Sequence, residues 1–316
     1  MLPLTLGFVH WRRCPAPSCL LVTGVFRGDD LFLLRCHPIQ SRGVESACSR
    51  LAPTLEEWRY RELYELEDRH WWFRGRRRMI WALLRRAGIT AAPRILDAGC
   101  GTGRNLAEFG RLGAAEGVDV SADAVEFCHR RGLTGVQQAP LEELPFEDGR
   151  FDLILATDVI EHLDDDRRAL TELRRVAARG AHLVITVPAY QWLWSQHDAS
   201  MHHRRRYTAD QLRRQAAATG WEPEVETYFY STVLPLVAAI RAFRRGPSGK
   251  DASSDLALGP ASLNRLLELP VRGEARLVER GHRLPAGVSI GMVCGATSHP
   301  ADAPPPAIAV PEPVSG

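Results

Sequence analysis

The stretch Ile95-Leu-Asp-Ala-Gly-Cys-Gly-Thr-Gly-Arg-Asn105 decides how this chain is read. An apolar run ends in an aspartate, three glycines alternate with other residues, and a helix-forming sequence follows. A strand is meeting a helix through a turn that leaves room for a ligand. Gly99, Gly101 and Gly103 free the backbone angles and remove any Cβ that would hold a ligand away from the main chain. The helix start beyond them offers unpaired N–H groups and a partial positive charge.

Strands and helices alternate outward from this turn. Residues 94–99 read as a strand, 105–113 as a helix, 115–121 as a strand, 122–132 as a helix and 135–140 as a short strand. Residues 151–159 then read as a strand, 168–180 as a helix and 181–189 as a strand, and Thr208 caps a helix over 209–220. The strands are continuous apolar runs, the mark of strands covered on both faces, so the sheet is mostly parallel and doubly wound. Further strands are expected at 222–231 and 286–298, about fifty residues of helix and loop apart. Upstream, apolar and aromatic residues spaced by three and four predict a helical cap. It consists of two helices joined near His70 to Gly75, with Thr54 as N-cap and Gly88 as the stop.

The totals bound the function. The chain has 316 residues, 45% of them apolar and 25% charged, and a formal charge of +2. That balance exerts no general pull toward nucleic acid or acidic lipid. Seven cysteines at irregular spacing fit reduced thiols and a cytoplasmic location better than a disulfide scaffold. No uncharged apolar run is long enough to span a membrane. Residues 1–53 read as a poorly structured arm or a start assigned too far upstream, and the Pro-rich residues 299–316 as a disordered tail. The catalytic domain is expected over 54–298: cap 54–90, core 91–230, helical insertion and closing strand 231–298.

The glycine spacing selects the ligand. A dinucleotide fingerprint is G-x-G-x-x-G, but the sixth position counted from Gly99 is Arg104. The pattern here is G-x-G-x-G with Asp97 two residues ahead. A carboxylate there opposes a pyrophosphate but suits a cationic amino group. Asp119, at the end of the next strand, is placed to accept hydrogen bonds from ribose hydroxyls. Both ligand classes carry a ribose, so Asp119 supports an adenosine ligand, and the glycine spacing selects S-adenosylmethionine over a nicotinamide dinucleotide.

Asp97-Ala-Gly-Cys-Gly-Thr-Gly103, Asp119, the segment Leu141-Glu-Glu-Leu-Pro-Phe-Glu-Asp-Gly-Arg-Phe-Asp-Leu-Ile154 and Asp158-Val-Ile-Glu-His-Leu163 together resemble the class I S-adenosylmethionine-dependent methyltransferases of the small-molecule branch. The resemblance implies a Rossmann-like seven-stranded sheet whose last strand runs antiparallel between its neighbours. It implies that Ala98, Gly99, Cys100, Gly101, Gly103 and Asn105 surround the methionine part of the cofactor. Asp119 and Val120 would hold the ribose, Leu141 would flank adenine, and Thr157 and Asp158 would face the methionine end. Many members carry an Asp after the third strand, where this chain has Ala139-Pro140-Leu141, so only main-chain and apolar contact with adenine is expected. A narrower similarity, Glu67-x-x-His70-x-Trp72-Phe73 with following arginines and a later His197-Asp198 and His203-x-Arg-Arg-Tyr207, points to a bacterial methyltransferase group; if the arginine-rich stretch is a lid, Arg76 or Arg77 would meet the cofactor carboxylate.

Methyl transfer from a sulfonium needs in-line positioning, and a base matters when the acceptor is a hydroxyl of high pKa. Three segments are candidates. His70 to Arg78 makes either a lid over the cofactor or the core of the helix pair. His197 to Tyr207, on a loop after the fifth strand, offers His203 as a base, Tyr207 as a further catalytic candidate, and arginines for a phosphate or carboxylate. Thr157 to His162 offers His162 as the competing base. Its Glu161-His162 pair resembles that of quinol O-methyltransferases, some of which use a divalent metal; the reading adopted assigns no metal. The expected acceptor is a small molecule or a lipid- or sugar-linked group methylated at oxygen, with no nucleic acid partner and peripheral membrane contact left open. Oligomeric state is not legible. The rival readings are a nicotinamide-dependent dehydrogenase and a cofactor-binding subunit without turnover.

Overall fold

The computed structural model describes residues 57–243 and 261–297. The expectations for residues 1–53, for Thr54 and for residues 299–316 lie outside them. Helices α1 (Glu57–Leu66) and α2 (Trp71–Arg86) precede strand β1 (Arg94–Ala98). The chain continues through α3 (Arg104–Phe109), β2 (Ala114–Asp119), α4 (Ala122–Arg130), β3 (Val136–Gln138) and β4 (Phe151–Thr157). Next come α5 (Asp166–Val176), β5 (Ala177–Pro188), the short α6 (Gln196–Ser200), α7 (Ala209–Ala218) and β6 (Trp221–Phe229). Helices α8 (Leu234–Phe243) and α9 (Ala261–Glu279) separate β6 from β7 (Ser289–Ala296).

The seven strands form one sheet in the order β3-β2-β1-β4-β5-β7-β6. β1 to β5 pair in parallel, and β7 lies antiparallel between β5 and β6. This is the expected topology. The strand periodicity of two explains why the apolar runs had to be continuous. Leu96, Ile154, Leu183 and Ile185 face one core with Leu170, Leu173 and Trp221, while Ile95, Leu153, Leu155 and Val184 face a second core with Ile80, Leu83 and Val271. α2 and α9 close the second core.

Several boundaries differ from expectation: α3 ends at Phe109 rather than at 113, β7 spans Ser289–Ala296 within the expected 286–298, and two further differences have a clear cause. The joint between the first helices ends at His70, whose imidazole accepts a hydrogen bond from the Trp72 amide; α2 therefore starts at Trp71, and Gly75 lies inside it. α5 stops at Val176 rather than continuing to Gly180. Ala177 already pairs with Phe151, a bulge follows, and Gly180 takes a left-handed φ of 72° that a helix does not admit. Among the described residues no helix is long and apolar enough to cross a membrane.

Candidate active site

The parallel strands bring their carboxyl ends to one edge of the sheet, where ligands of such folds bind. Gly99, Gly101 and Gly103 all have positive φ, at 75°, 54° and 81°. Gly99 and Cys100 donate to the Val118 carbonyl, each at 2.9 Å, which folds the turn back over β2. A Cβ on Gly99 would stand 2.3 Å from Val159 Cγ2, whereas one on Gly101 would meet nothing within 4 Å. Gly99 is thus required by packing and conformation, and Gly101 by conformation in front of open space.

Asp97 is fully buried at the end of β1, and neither carboxylate oxygen has a hydrogen bond of normal geometry. Burial raises its pKa to about 7. The Arg76 guanidinium opposes the rise and the Asp119 carboxylate adds to it. Asp119 accepts from Gly101 N at 2.8 Å and from Ser121 N at 3.0 Å; burial raises its pKa, and these amides offset part of the rise. A buried carboxylate without a partner, beside a main chain open at Gly101, fits a ligand that carries an ammonium group.

The helical cap is tied to this turn. Glu67, after α1, accepts from the Thr102 hydroxyl and pairs with Arg131. Arg76 reaches from α2 to an ion pair with Asp158 at the end of β4. Asn105 Nδ2 donates to Thr157 Oγ1 at 2.8 Å. The aromatic stretch divides between packing and the edge of the sheet. Phe73 is buried, and Trp72 stacks on Tyr230 with centroids 4.0 Å apart, so the aromatics belong to the packing; Arg76 alone enters the site. Arg77 instead donates to the Glu67 carbonyl at 2.7 Å, and burial lowers its pKa to about 10.

Across the edge, Asp198 organises the loop after β5. It is fully buried and accepts from Ser195 N at 2.8 Å, His203 Nδ1 at 2.9 Å and Arg206 Nε at 2.7 Å. Burial alone would raise its pKa, yet the His203 hydrogen bond and the Arg206 charge hold it well below the usual carboxylate range. Held in this way, His203 meets the His162 ring edge to face, centroids 4.7 Å apart. Burial, reinforced by His203, lowers the His162 pKa to about 3, so this imidazole is neutral at physiological pH. Glu161 is fully buried, both its oxygens lack hydrogen bonds, and burial followed by the Asp158 charge raises its pKa well above the ordinary value.

The structure therefore brings together two groups of predicted residues and buries several of them. Ala98, Cys100 and Leu141 are buried; Leu141 is only 3% exposed and packs in the core. The amide of Val120's neighbour Ser121 serves Asp119, while the Val120 carbonyl accepts from Gln138. The Tyr207 hydroxyl donates to Asp166 Oδ2 at 2.7 Å, and the ring is 3% exposed. Asp198 and Glu67, motif members to which the sequence assigned no role, emerge as organisers. Non-glycine residues with positive φ mark the same edge: Asp158 after β4, Tyr190 after β5, His202 in the following loop and Tyr230 after β6.

Residues 96–185 match the family model described as "Methyltransferase domain". A "Probable S-adenosylmethionine-dependent methyltransferase" of Mycobacterium tuberculosis is 31% identical over 182 residues, 55% of this chain and 65% of that protein. The O-methyltransferase cnsE of Penicillium expansum is 33% identical over 116 residues, 33% of this chain and 42% of that protein. The chain thus spans less than two thirds of the length of these curated relatives. Among solved structures, a chain from the complex of the Haloferax volcanii Trm112 methyltransferase activator with a methyltransferase aligns with a TM-score of 0.50 and 17% identity, over 77% of this chain and 95% of that one; this likeness concerns the fold alone.

Proposed function

We propose that this chain, a class I S-adenosylmethionine-dependent methyltransferase by its fold and its matched domain, transfers a methyl group to a hydroxyl of a small-molecule or lipid- or sugar-linked acceptor. The observation that carries the reading is Asp97: a fully buried carboxylate with no hydrogen-bond partner, at the mouth of a glycine turn. In this reading Asp97 accepts the cofactor's ammonium and Arg76 turns from Asp158 to its carboxylate. Asp119 serves the ribose hydroxyls, and the main chain at Gly99 and Gly101 lies against the methionine part. S-adenosylmethionine, when bound, supplies a methyl group already activated on a sulfonium, so the protein's task is to position the acceptor.

His203 and His162 are the proposed bases. Asp198 fixes His203 through Nδ1, leaving Nε2 to take the acceptor's proton, and neutral His162 stands beside it. We assign Tyr207 to holding the loop through Asp166. An oxygen acceptor is supported by the need for such a base and by the O-methyltransferase among the relatives. A cytoplasmic location is supported by the scattered cysteines, of which Cys100, Cys128 and Cys294 are free.

The test is incubation with methyl-labelled S-adenosylmethionine and a panel of phenolic, sugar and lipid-linked hydroxyl acceptors. We expect label in at least one acceptor, with His203→Ala lowering kcat and shifting the pH–rate profile. Cofactor binding without label in any acceptor would favour the non-catalytic subunit. A His203→Ala profile indistinguishable from the parent's would remove His203 as the base.

A further inference from the structure

Glu161 is difficult to explain as a structural residue. It sits in the one-turn segment Ile160–His162 after β4, fully buried, and both carboxylate oxygens lack hydrogen bonds. Two arginines lie close enough to act on it electrostatically, but each is already committed: Arg76 pairs with Asp158 and Arg206 with Asp198. A buried carboxylate left this way costs several kcal/mol in ionised form, roughly. Such a group persists where something else meets it.

Two imidazoles do. One ligand atom each from Glu161, His162 and His203 all lie within 4.8 Å of one another. Ligand atoms around a transition metal at ~2.0–2.2 Å sit somewhat closer together than that, so a small inward shift of the side chains completes the set. His203 arrives from a different loop and is oriented from behind: its Nδ1 meets Asp198 Oδ1 at 2.9 Å, so Nε2 is the ring nitrogen not taken up by Asp198. A carboxylate behind a histidine in this way fixes the ring and raises its basicity as a ligand. Asp198 is itself locked by Arg206 and the Ser195 amide, so the orientation is built in.

We infer that Glu161, His162 and His203 form a binding site for one first-row divalent transition metal, Zn²⁺ foremost, with further positions open to acceptor oxygen. Two imidazole nitrogens and one carboxylate oxygen suit Zn²⁺ or Co²⁺ far better than the oxygen-seeking Mg²⁺ or Ca²⁺. Three protein ligands are the complement of a catalytic rather than a closed structural zinc site. This departs from the metal-free expectation and rests on the methyltransferase reading only for what the metal would do. There, coordination of the acceptor hydroxyl would lower its pKa, and the proton would leave to solvent instead of to His203.

The metal's binding is testable apart from that reading. The full chain, stripped with chelator, is titrated with Zn²⁺ calorimetrically and with Co²⁺ by visible absorption, alongside Glu161→Gln, His203→Asn and Asp198→Asn. S-adenosylhomocysteine titration of each variant reports folding and the cofactor site independently. We expect one ion per chain, with the visible bands of Co²⁺ bound by nitrogen and oxygen. Affinity should fall about tenfold to hundredfold in Asp198→Asn and by more in the two ligand variants. No saturable ion in the parent protein, or unchanged affinity in both Glu161→Gln and His203→Asn, overturns the site. Metal binding without S-adenosylhomocysteine binding would retain the site and remove the methyltransferase reading; the opposite pattern would do the reverse.

Discussion

The two halves of the candidate active site are built by different means. The half proposed for the cofactor is main chain from neighbouring strands: Gly99 and Cys100 bond to Val118, Gly101 bonds to the Asp119 carboxylate, and one carboxylate, Asp97, is left over. The half proposed for the acceptor is side chains from segments far apart in sequence: Ser195 to Arg206, gathered around the buried Asp198, and Asp158 to His162, whose His162 packs against His203. A site made of backbone tolerates change wherever its angles survive. A site made of charged side chains depends on its hub.

The largest effect should come from that hub. Asp198→Ala leaves Arg206 buried, 3% exposed at its side chain, without its carboxylate. We expect a stability loss of about 3–5 kcal/mol in urea unfolding. A loss below ~1 kcal/mol would mean the loop is held by other contacts and would dissolve the contrast.

The glycines test the backbone half. Gly99→Ala meets both a left-handed φ and the Val159 side chain at 2.3 Å, so we expect a loss of about 2–3 kcal/mol in stability. Gly101→Ala has free space, so conformation alone should cost about 1 kcal/mol. Its consequence should appear in S-adenosylhomocysteine affinity instead. Calorimetry and thermal melts on both variants separate these outcomes; equal stability losses would contradict the assignment.

pH sharpens the comparison, because the halves pull in opposite directions. Asp97 has a folded pKa of about 7, above its ordinary 3.8. The folded state holds that proton longer than the unfolded state, so this group's contribution to stability falls as pH rises through that window. His162 is lowered from 6.5 to about 3, so the unfolded state binds more protons and its contribution rises with pH between those values. Asp97→Asn and His162→Asn should therefore tilt the pH–stability profile in opposite senses. Profiles tilting the same way would show that one environment is misassigned. The smallest expected effect is on ligand affinity: S-adenosylhomocysteine should bind more weakly as pH falls below about 7, with at most a tenfold change per unit, because Asp97 must lose its proton to meet an ammonium.

The same contrast explains what was legible in the sequence. The sheet order and the glycine turn depend on short-range patterns, namely apolar runs, glycine spacing and an aspartate two residues ahead, and these needed no partner from elsewhere. Asp198 and Glu67 stand in recognisable motifs, but their roles could not be read there, since these exist only through Arg206, His203, Thr102 and Arg131, brought in by the fold. Tyr207 shows the converse: a tyrosine in an active-site loop reads as a candidate catalyst until Asp166, from α5, is seen to take its hydroxyl. The α5 boundary was missed because Ala177 and Ala178 suit a helix locally, and pairing with β4 decides otherwise.

The most direct test of the central claim is isothermal titration of the full chain with S-adenosylhomocysteine and, separately, NADH, repeated on Asp97→Asn. The account predicts saturable S-adenosylhomocysteine binding, no NADH binding, and a loss of about tenfold to hundredfold in the variant, the weight of a charge-assisted hydrogen bond. NADH binding alone, or S-adenosylhomocysteine affinity unchanged in Asp97→Asn, would contradict it.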